Sequence, residues 1–298
     1  MNKDYLIRGT SKDGGIRFFC CDTTVLTEKA RSIHDCYPVA AAALGRMLTA
    51  GSMMGTMLKS EKDSLTLQIN GKGPAGAVVV VSDFSGNVRG YIHNPHVETV
   101  LKENGKLDVG RIIGYDGMLT VVKDFGLKEP YIGQIPIVSG EIGDDLTVYF
   151  SNSEQIPTSV GLGVLVETDG SVSAAGGFII QILPGIDESL IDEIEYRLAR
   201  IRPVTEMIKN GLKPEDIIKE ILGSIEINIH ERKDIAYVCN CSHDRIVRAL
   251  ISIGEKDLTD IIENEGKAEL TCHFCNKKYN FNKEELIEML EEAKGKSK

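Results

Sequence analysis

The chain has 298 residues, enough for one large domain or two to three smaller ones with a packed core; 42% of it is apolar and 26% charged. A formal charge of -10 repels phosphate backbones and argues against nucleic acid as a partner. The opening MNKDYLIRGT is charged and lacks the apolar stretch of a secretory leader, so the seven cysteines are expected in a reducing cytosol, where paired cysteines bind metal or do redox chemistry.

In chain order, DYLIRGT and IRFFCCDTT flank Asp13-Gly14-Gly15 and predict a hairpin. A polar helix is expected near Glu28. A second helix begins at Pro38, where proline suits the first helical turn. Its sequence, PVAAAALGRMLTAGSMMGTML (38–58), is long enough to span a bilayer and carries G-x-x-x-G at Gly51 and Gly55. Arg46 near its centre would be costly in lipid, so the segment is read as a buried helix whose small residues let a sheet or helix approach closely. No membrane partner is expected.

LTLQI (65–69), AGAVVVVSD (75–83) and VRGYIH (88–93) predict strands, with Ser85-Gly86-Asn87 turning between the last two. MLTVVKDF, YIGQIPIV, GVLVETDG and SVSAAGGFIIQIL predict more, the last two joined at Asp169-Gly170. In EIGDDLTVYFSNSEQ (141–155) the acidic start and the spacing of Leu146, Tyr149 and Phe150 favour a helix. Near Leu183-Pro184-Gly185 the character changes. DESLIDEIEYRLARI sets Leu190, Ile191, Ile194, Leu198 and Ile201 on one stripe, and VTEMIKN and KPEDIIKEILG follow as short helices. Such helices are marginal alone, so their stripes must pack on something. From about residue 231 a compact module is expected: two short helices (CSHDRIVRALISIG and DLTDIIENEG), a two-stranded knuckle in AELTCHFCNKKYNF, and a last helix with Asn282 and Glu285 at capping-box spacing.

Most motifs in the first block carry little chemistry. Gly71-Lys72-Gly73-Pro74-Ala75-Gly76 fits G-x-G-x-x-G, but a β-branched strand follows it where a dinucleotide site needs a helix. His93 and His96 sit in a Pro-containing turn without a third ligand. Cys20, Cys21 and Cys36 have no metal spacing and read as small apolar side chains. No catalytic constellation emerges, and no enzymatic activity is expected.

The four later cysteines differ. VCNCSH places Cys239 and Cys241 in a C-x-C, and TCHFC places Cys272 and Cys275 in a C-x-x-C. Two close pairs in one small module point to a tetrahedral zinc site of four thiolates, with no vacancy left for His243 or His273. An iron–sulfur cluster or a bare redox pair are the alternatives. A thioredoxin-like C-x-x-C should open a helix, whereas here the chain turns back into YNF. Zinc contributes about 10–16 kcal/mol to such a module, while the intrinsic stability of a domain this small is a few kcal/mol. Losing the ion should therefore unfold the module, and any apolar helices leaning on it would be exposed.

The residues resemble the 33-kDa redox-regulated chaperone family, heat shock protein 33, along essentially the whole chain. The hallmark is the C-x-C, a spacer of about thirty residues and the C-x-x-C, here Cys239, Cys241, Cys272 and Cys275. PVAAAALGRMLTA, VVKDFG, SGEIGDD, PTSVGLGVLV and AAGGFIIQILPG are similar to family signatures. The resemblance implies an α+β fold: a mixed α/β core with packed β-sheets (1–183), a helical linker region (184–230) and a small C-terminal zinc domain (231–298). It implies a cytoplasmic holdase without turnover that binds unfolded or oxidatively damaged clients under oxidative and heat stress. By the same resemblance the zinc-bound reduced form is expected to be inactive. The resemblance further implies that oxidation releases zinc, forms disulfides Cys239–Cys241 and Cys272–Cys275, unfolds the tail and linker, and favours an active homodimer. A constitutive zinc-stapled interaction or nucleic-acid-binding module and a thiol oxidoreductase remain the competing readings.

Overall fold

The computed structural model describes residues 3–296 and divides into two compact units, one ending at Val238 and the other beginning at Cys239.

The first unit opens with β1 (Tyr5–Ser11) and β2 (Ile16–Asp22), paired antiparallel around the expected turn, where Gly14 takes φ 79°. Next come α1 (Thr24–His34) and α2 (Pro38–Gly55), then β3 (Ser64–Asn70), β4 (Val78–Asp83) and β5 (Val88–Ile92). A short α3 (Val109–Ile113), β6 (Met118–Asp124), β7 (Tyr131–Pro136), α4 (Gly143–Ser153), β8 (Thr158–Val166) and β9 (Val172–Ile182) follow. Among the described residues these strands build two five-stranded antiparallel sheets, ordered β5-β4-β3-β6-β7 and, with a later strand β10 (Ile227–Asp234), β10-β1-β2-β9-β8. The 141–155 segment is helical, as its spacing predicts: Leu146, Tyr149 and Phe150 are all buried.

Helix α2 packs against both sheets, and every residue of it except Pro38 and Arg46 is buried. The small residues explain how. A Cβ on Gly51 would stand 2.7 Å from Val80 Cγ1, and one on Gly55 would stand 2.5 Å from the Asp83 carbonyl oxygen. Arg46 is held in place by Glu141, whose carboxylate lies 2.6 Å from both Arg46 and Lys102. Burial raises the Glu141 carboxyl, but the two cations outweigh it and leave its pKa below the usual value. Among the described residues no helix is long and apolar enough to cross a membrane. Helix α1 has no side-chain cap of its own. Asp4 supplies one from the start of β1, its two carboxylate oxygens accepting from Val25 N and Leu26 N at 2.9 and 2.6 Å.

The helical stretch forms α5 (Glu188–Leu198), α6 (Val204–Lys209) and α7 (Pro214–Leu222). The sequence requires that the stripes of these helices pack on something, and the structure supplies a partner within the first unit. Their apolar stripes are spent on the β10-β1-β2-β9-β8 sheet: Ile194, Val204, Met207, Ile217, Ile218, Ile221 and Leu222 share a buried cluster with Ile7, Phe18, Cys20, Phe178 and Ile180. Strand alternation separates Cys20, which faces this cluster, from Cys21, which faces α2. Polar ties fix the layer's edges: Tyr5 donates to Glu215 at 2.6 Å, and Arg202–Glu220 and Lys209–Glu167 pair at 2.5 and 2.8 Å. Residues 227–234, where the linker was expected to give way to the tail module, form β10, paired with β1 along its length. Beyond it Tyr237 is buried, its hydroxyl donating to Gly90 O at 2.8 Å, and Val238 N donates to Val88 O.

The glycine-rich loop is structural. Gly71 and Gly73 press on the backbone of Ile112–Gly114, where any Cβ would overlap main-chain atoms. Cys20, Cys21 and Cys36 are buried, as expected of apolar cysteines. His93 stacks on Tyr91, and His96 lies 3.2 Å from Asp35.

The second unit contains α8 (His243–Ser252), α9 (Glu255–Asn264), the hairpin of β11 (Ala268–Thr271) and β12 (Lys278–Phe281), and α10 (Lys283–Lys296). The capping box at the start of α10 is present: Glu285 N donates to Asn282 Oδ1 and Asn282 N to Glu285 Oε2. One small core joins the elements, made chiefly of Leu250, Leu258, Tyr279, Phe281, Leu286 and Met289.

Candidate metal centre

The sulfur cluster is assembled by two local devices. The first is the turn of the β11–β12 hairpin. Cys272 N donates to Lys277 O, and Asn276 N donates back to Cys272 O at 2.8 Å. Asn276 takes φ 56°, a left-handed conformation that asparagine tolerates. This folds Cys272 and Cys275 to one side of the turn. The second device is the start of α8. Ser242 caps the helix by accepting from Arg245 N, and Arg245 Nη1 donates to Asn240 Oδ1 between the two cysteines. Cys241 thus immediately precedes a helix N-terminus, whose free N–H groups favour negative charge.

Together these bring Cys239, Cys241, Cys272 and Cys275 into one group, all four Sγ atoms within 4.8 Å of one another. Cys239–Cys272 and Cys241–Cys275 are separated by 3.7 and 3.4 Å. Four thiolates around an ion at the zinc–sulfur distance of about 2.3 Å stand about 3.8 Å apart, so the group matches a tetrahedral donor set. Cys272 is buried and the other three are half-buried. Among the described residues this is the only group of three or more potential ligands so gathered. His243 and His273 are not members; the His243 ring instead lies 5.2 Å from that of Phe281.

The electrostatics favour a thiolate at Cys241. Burial pushes this thiol up, but hydrogen bonds from Tyr279, Cys275, Cys239 and Cys272 carry it down to about 7. Burial pushes Cys239 up to about 12 and raises Cys275 as well. Charge on one sulfur is thus shared across the group by donation. Tyr279 was missed by the sequence reading: its hydroxyl donates to Cys241 Sγ at 3.1 Å. The alternation in Lys278-Tyr279-Asn280-Phe281, which turns Tyr279 and Phe281 inward, was the available signal.

The family model described as Hsp33 protein matches residues 4–282. The chain belongs to the Hsp33 family. It is 50% identical to the 33 kDa chaperonin of Geobacillus sp. (strain WCH70) over 294 residues, 99% of each chain. It is 54% identical to that of Clostridium perfringens (strain ATCC 13124) over 290 residues, 97% of this chain and 91% of the relative. The solved 33 kDa chaperonin of Thermotoga maritima, a heat shock protein 33 homolog, superposes with a TM-score of 0.90 at 37% identity, covering 99% of this chain and all of that one. The fold is α+β and the family is one of chaperones.

Proposed function

We propose that this Hsp33-family protein is a redox-regulated holdase, kept inactive by zinc on Cys239, Cys241, Cys272 and Cys275 and activated when those sulfurs are oxidised. The observation that carries this reading is the sulfur group itself, which ties Cys239–Cys241 to a hairpin about thirty residues further on within a unit of little core. Zinc supplies a redox-inert cross-link that holds the thiolates together. Peroxide takes up an electron pair from one thiolate sulfur, its O–O bond breaks, and a sulfenic acid forms with loss of hydroxide. A second thiolate displaces the remaining hydroxide and closes a disulfide. Bonds within C-x-C and C-x-x-C span short loops and leave the two segments unlinked. The opposite pairing, Cys239–Cys272 and Cys241–Cys275, would staple the unit instead, so the products decide between a switch and a clamp.

The client surface in this reading is the apolar sheet face now beneath α5, α6 and α7, together with the stripes of those helices. Functionally the chain divides into a core (1–183), a covering layer (184–230) and a sulfur-bearing tail (231–298). Unfolding of the tail removes the order that follows β10, and heat loosens the short helices of the layer. The exposed surface then binds unfolded or oxidatively damaged proteins, and the active form is a homodimer. Seven thiols suit a reducing compartment, which favours the cytoplasm. No turnover is assigned. A thioredoxin-like role is disfavoured because Cys272 and Cys275 lie in a hairpin turn and not at a helix start.

The test follows zinc and client in one tube. Peroxide at elevated temperature should release about one zinc per chain and then suppress light scattering by a thermally unfolding client. Zinc release with client aggregation at its unprotected rate would refute the reading.

A further inference from the structure

Tyr279 stands on β12, opposite Leu270 of β11. Its ring is 6% exposed and belongs to the small core of the second unit. Lys277 Nζ lies 5.1 Å from the ring centroid. These contacts fix the ring and leave its hydroxyl aimed at Cys241 Sγ, 3.1 Å away. A thiolate bound to a metal keeps lone pairs that accept hydrogen bonds, and such outer contacts tune the ligand.

We propose that Tyr279 is a positioning residue of the sulfur centre: by donating to Cys241 Sγ it shields that sulfur from electrophiles and sets the order in which the four sulfurs react. This rests on the zinc-and-oxidation reading above. An electrophile is attacked by a sulfur lone pair. For peroxide the S–O bond forms as the O–O bond breaks and hydroxide leaves. A lone pair already engaged by an O–H must give up part of that interaction to react. A charge-assisted hydrogen bond partly lost in this way corresponds to roughly a three- to thirtyfold slower reaction. Burial alone ranks the sulfurs differently. Cys272 is the buried one, while Cys241 is half-buried like Cys239 and Cys275. Accessibility therefore makes Cys272 the slowest to react, and the hydrogen bond makes it Cys241.

The experiment uses the full-length, zinc-loaded protein and its Tyr279→Phe variant, which keeps the ring and deletes one hydroxyl. Iodoacetamide is added to low conversion and the modified cysteines are mapped by mass spectrometry. Zinc content and thermal midpoint are measured alongside. In the wild type Cys241 should be alkylated most slowly of the four. In Tyr279→Phe, with zinc still bound, its rate relative to the other three should rise by roughly three- to thirtyfold. A merely structural role would lower the thermal midpoint or zinc content without reordering the sulfurs. Unchanged relative reactivity of Cys241 in two zinc-loaded proteins overturns this inference and leaves the zinc reading standing. A wild type that binds no zinc overturns both. Should the variant fail to hold zinc, the wild-type order decides alone: Cys241 slowest supports the inference, and any other sulfur slowest overturns it.

Discussion

Ile218→Ala separates the covering layer from the sulfur chemistry. Ile218 is fully buried in α7, which lies on β1 and β2, and the substitution leaves Cys239, Cys241, Cys272 and Cys275 unchanged. Removing its outer carbons forfeits about 2 kcal/mol of transfer free energy, and the unfilled space adds to that, for about 3 kcal/mol in all. That penalty falls on the packing of the layer against the sheet, so its opening equilibrium should rise roughly a hundredfold. Hydrogen exchange on the reduced, zinc-loaded variant should show faster exchange across residues 188–222 with β3, β4 and β6 unchanged. In the same state the variant should suppress client aggregation without oxidant, while the exposed-site control Lys219→Ala should not. If Ile218→Ala opens the layer yet stays inactive until oxidised, the apolar face beneath α7 is not the client surface.

Cys272→Ser removes one thiolate from the gathered four, and the second unit should lose zinc and its dispersed NMR spectrum while the first unit keeps its own; a folded, zinc-loaded Cys272→Ser protein would contradict the role given to the cluster. Burial pushes the Asp4 carboxyl up to about 7 against the pull of the Leu26 and Val25 amides. An acid with a raised folded value binds its proton more tightly when folded, so its contribution to stability is whole below about pH 4 and is lost as pH rises to 7. The stability difference between wild type and Asp4→Asn in urea should therefore shift against the wild type between pH 5 and pH 8, and an unchanged difference would refute the assignment. Gly55→Ala forces a Cβ to 2.5 Å from the Asp83 carbonyl oxygen and should lower stability by about 1–3 kcal/mol in thermal unfolding; a neutral result would mean that α2 and the sheet can separate without cost.

What the sequence made legible follows from how local each signal is. The four cysteines declared themselves because metal ligation needs particular residue types at short spacing. Helices α4, α5, α7 and α8 were visible because each buries a stripe that repeats with the helical period. Helix α2 carries little periodicity, being buried nearly all round, and was placed by its proline and by the cost of Arg46 in lipid. Strand β10 escaped because it is a charged edge strand. Of Ile227–Asp234 only Ile227, Glu231 and Lys233 are partly shielded, and four of its last five carry formal charge at neutral pH, as suits an exposed edge. Its pairing with β1 joins segments more than two hundred residues apart, and no local pattern encodes that. The support for α5, α6 and α7 was hidden for the same reason, since their apolar stripes state that a partner exists but not which one. The Tyr279–Cys241 contact depends on the register of the knuckle against α8, which spacing alone does not set.

The central claim is that sulfur oxidation is converted into loss of structure. Hydrogen exchange with mass spectrometry, on one sample before and after peroxide at elevated temperature, tests it most directly. The account predicts that amides of residues 243–294 and 188–222 lose protection as zinc leaves, while those of β3, β4 and β6 keep it. Full protection of 243–294 in a zinc-free protein carrying both disulfides would contradict it.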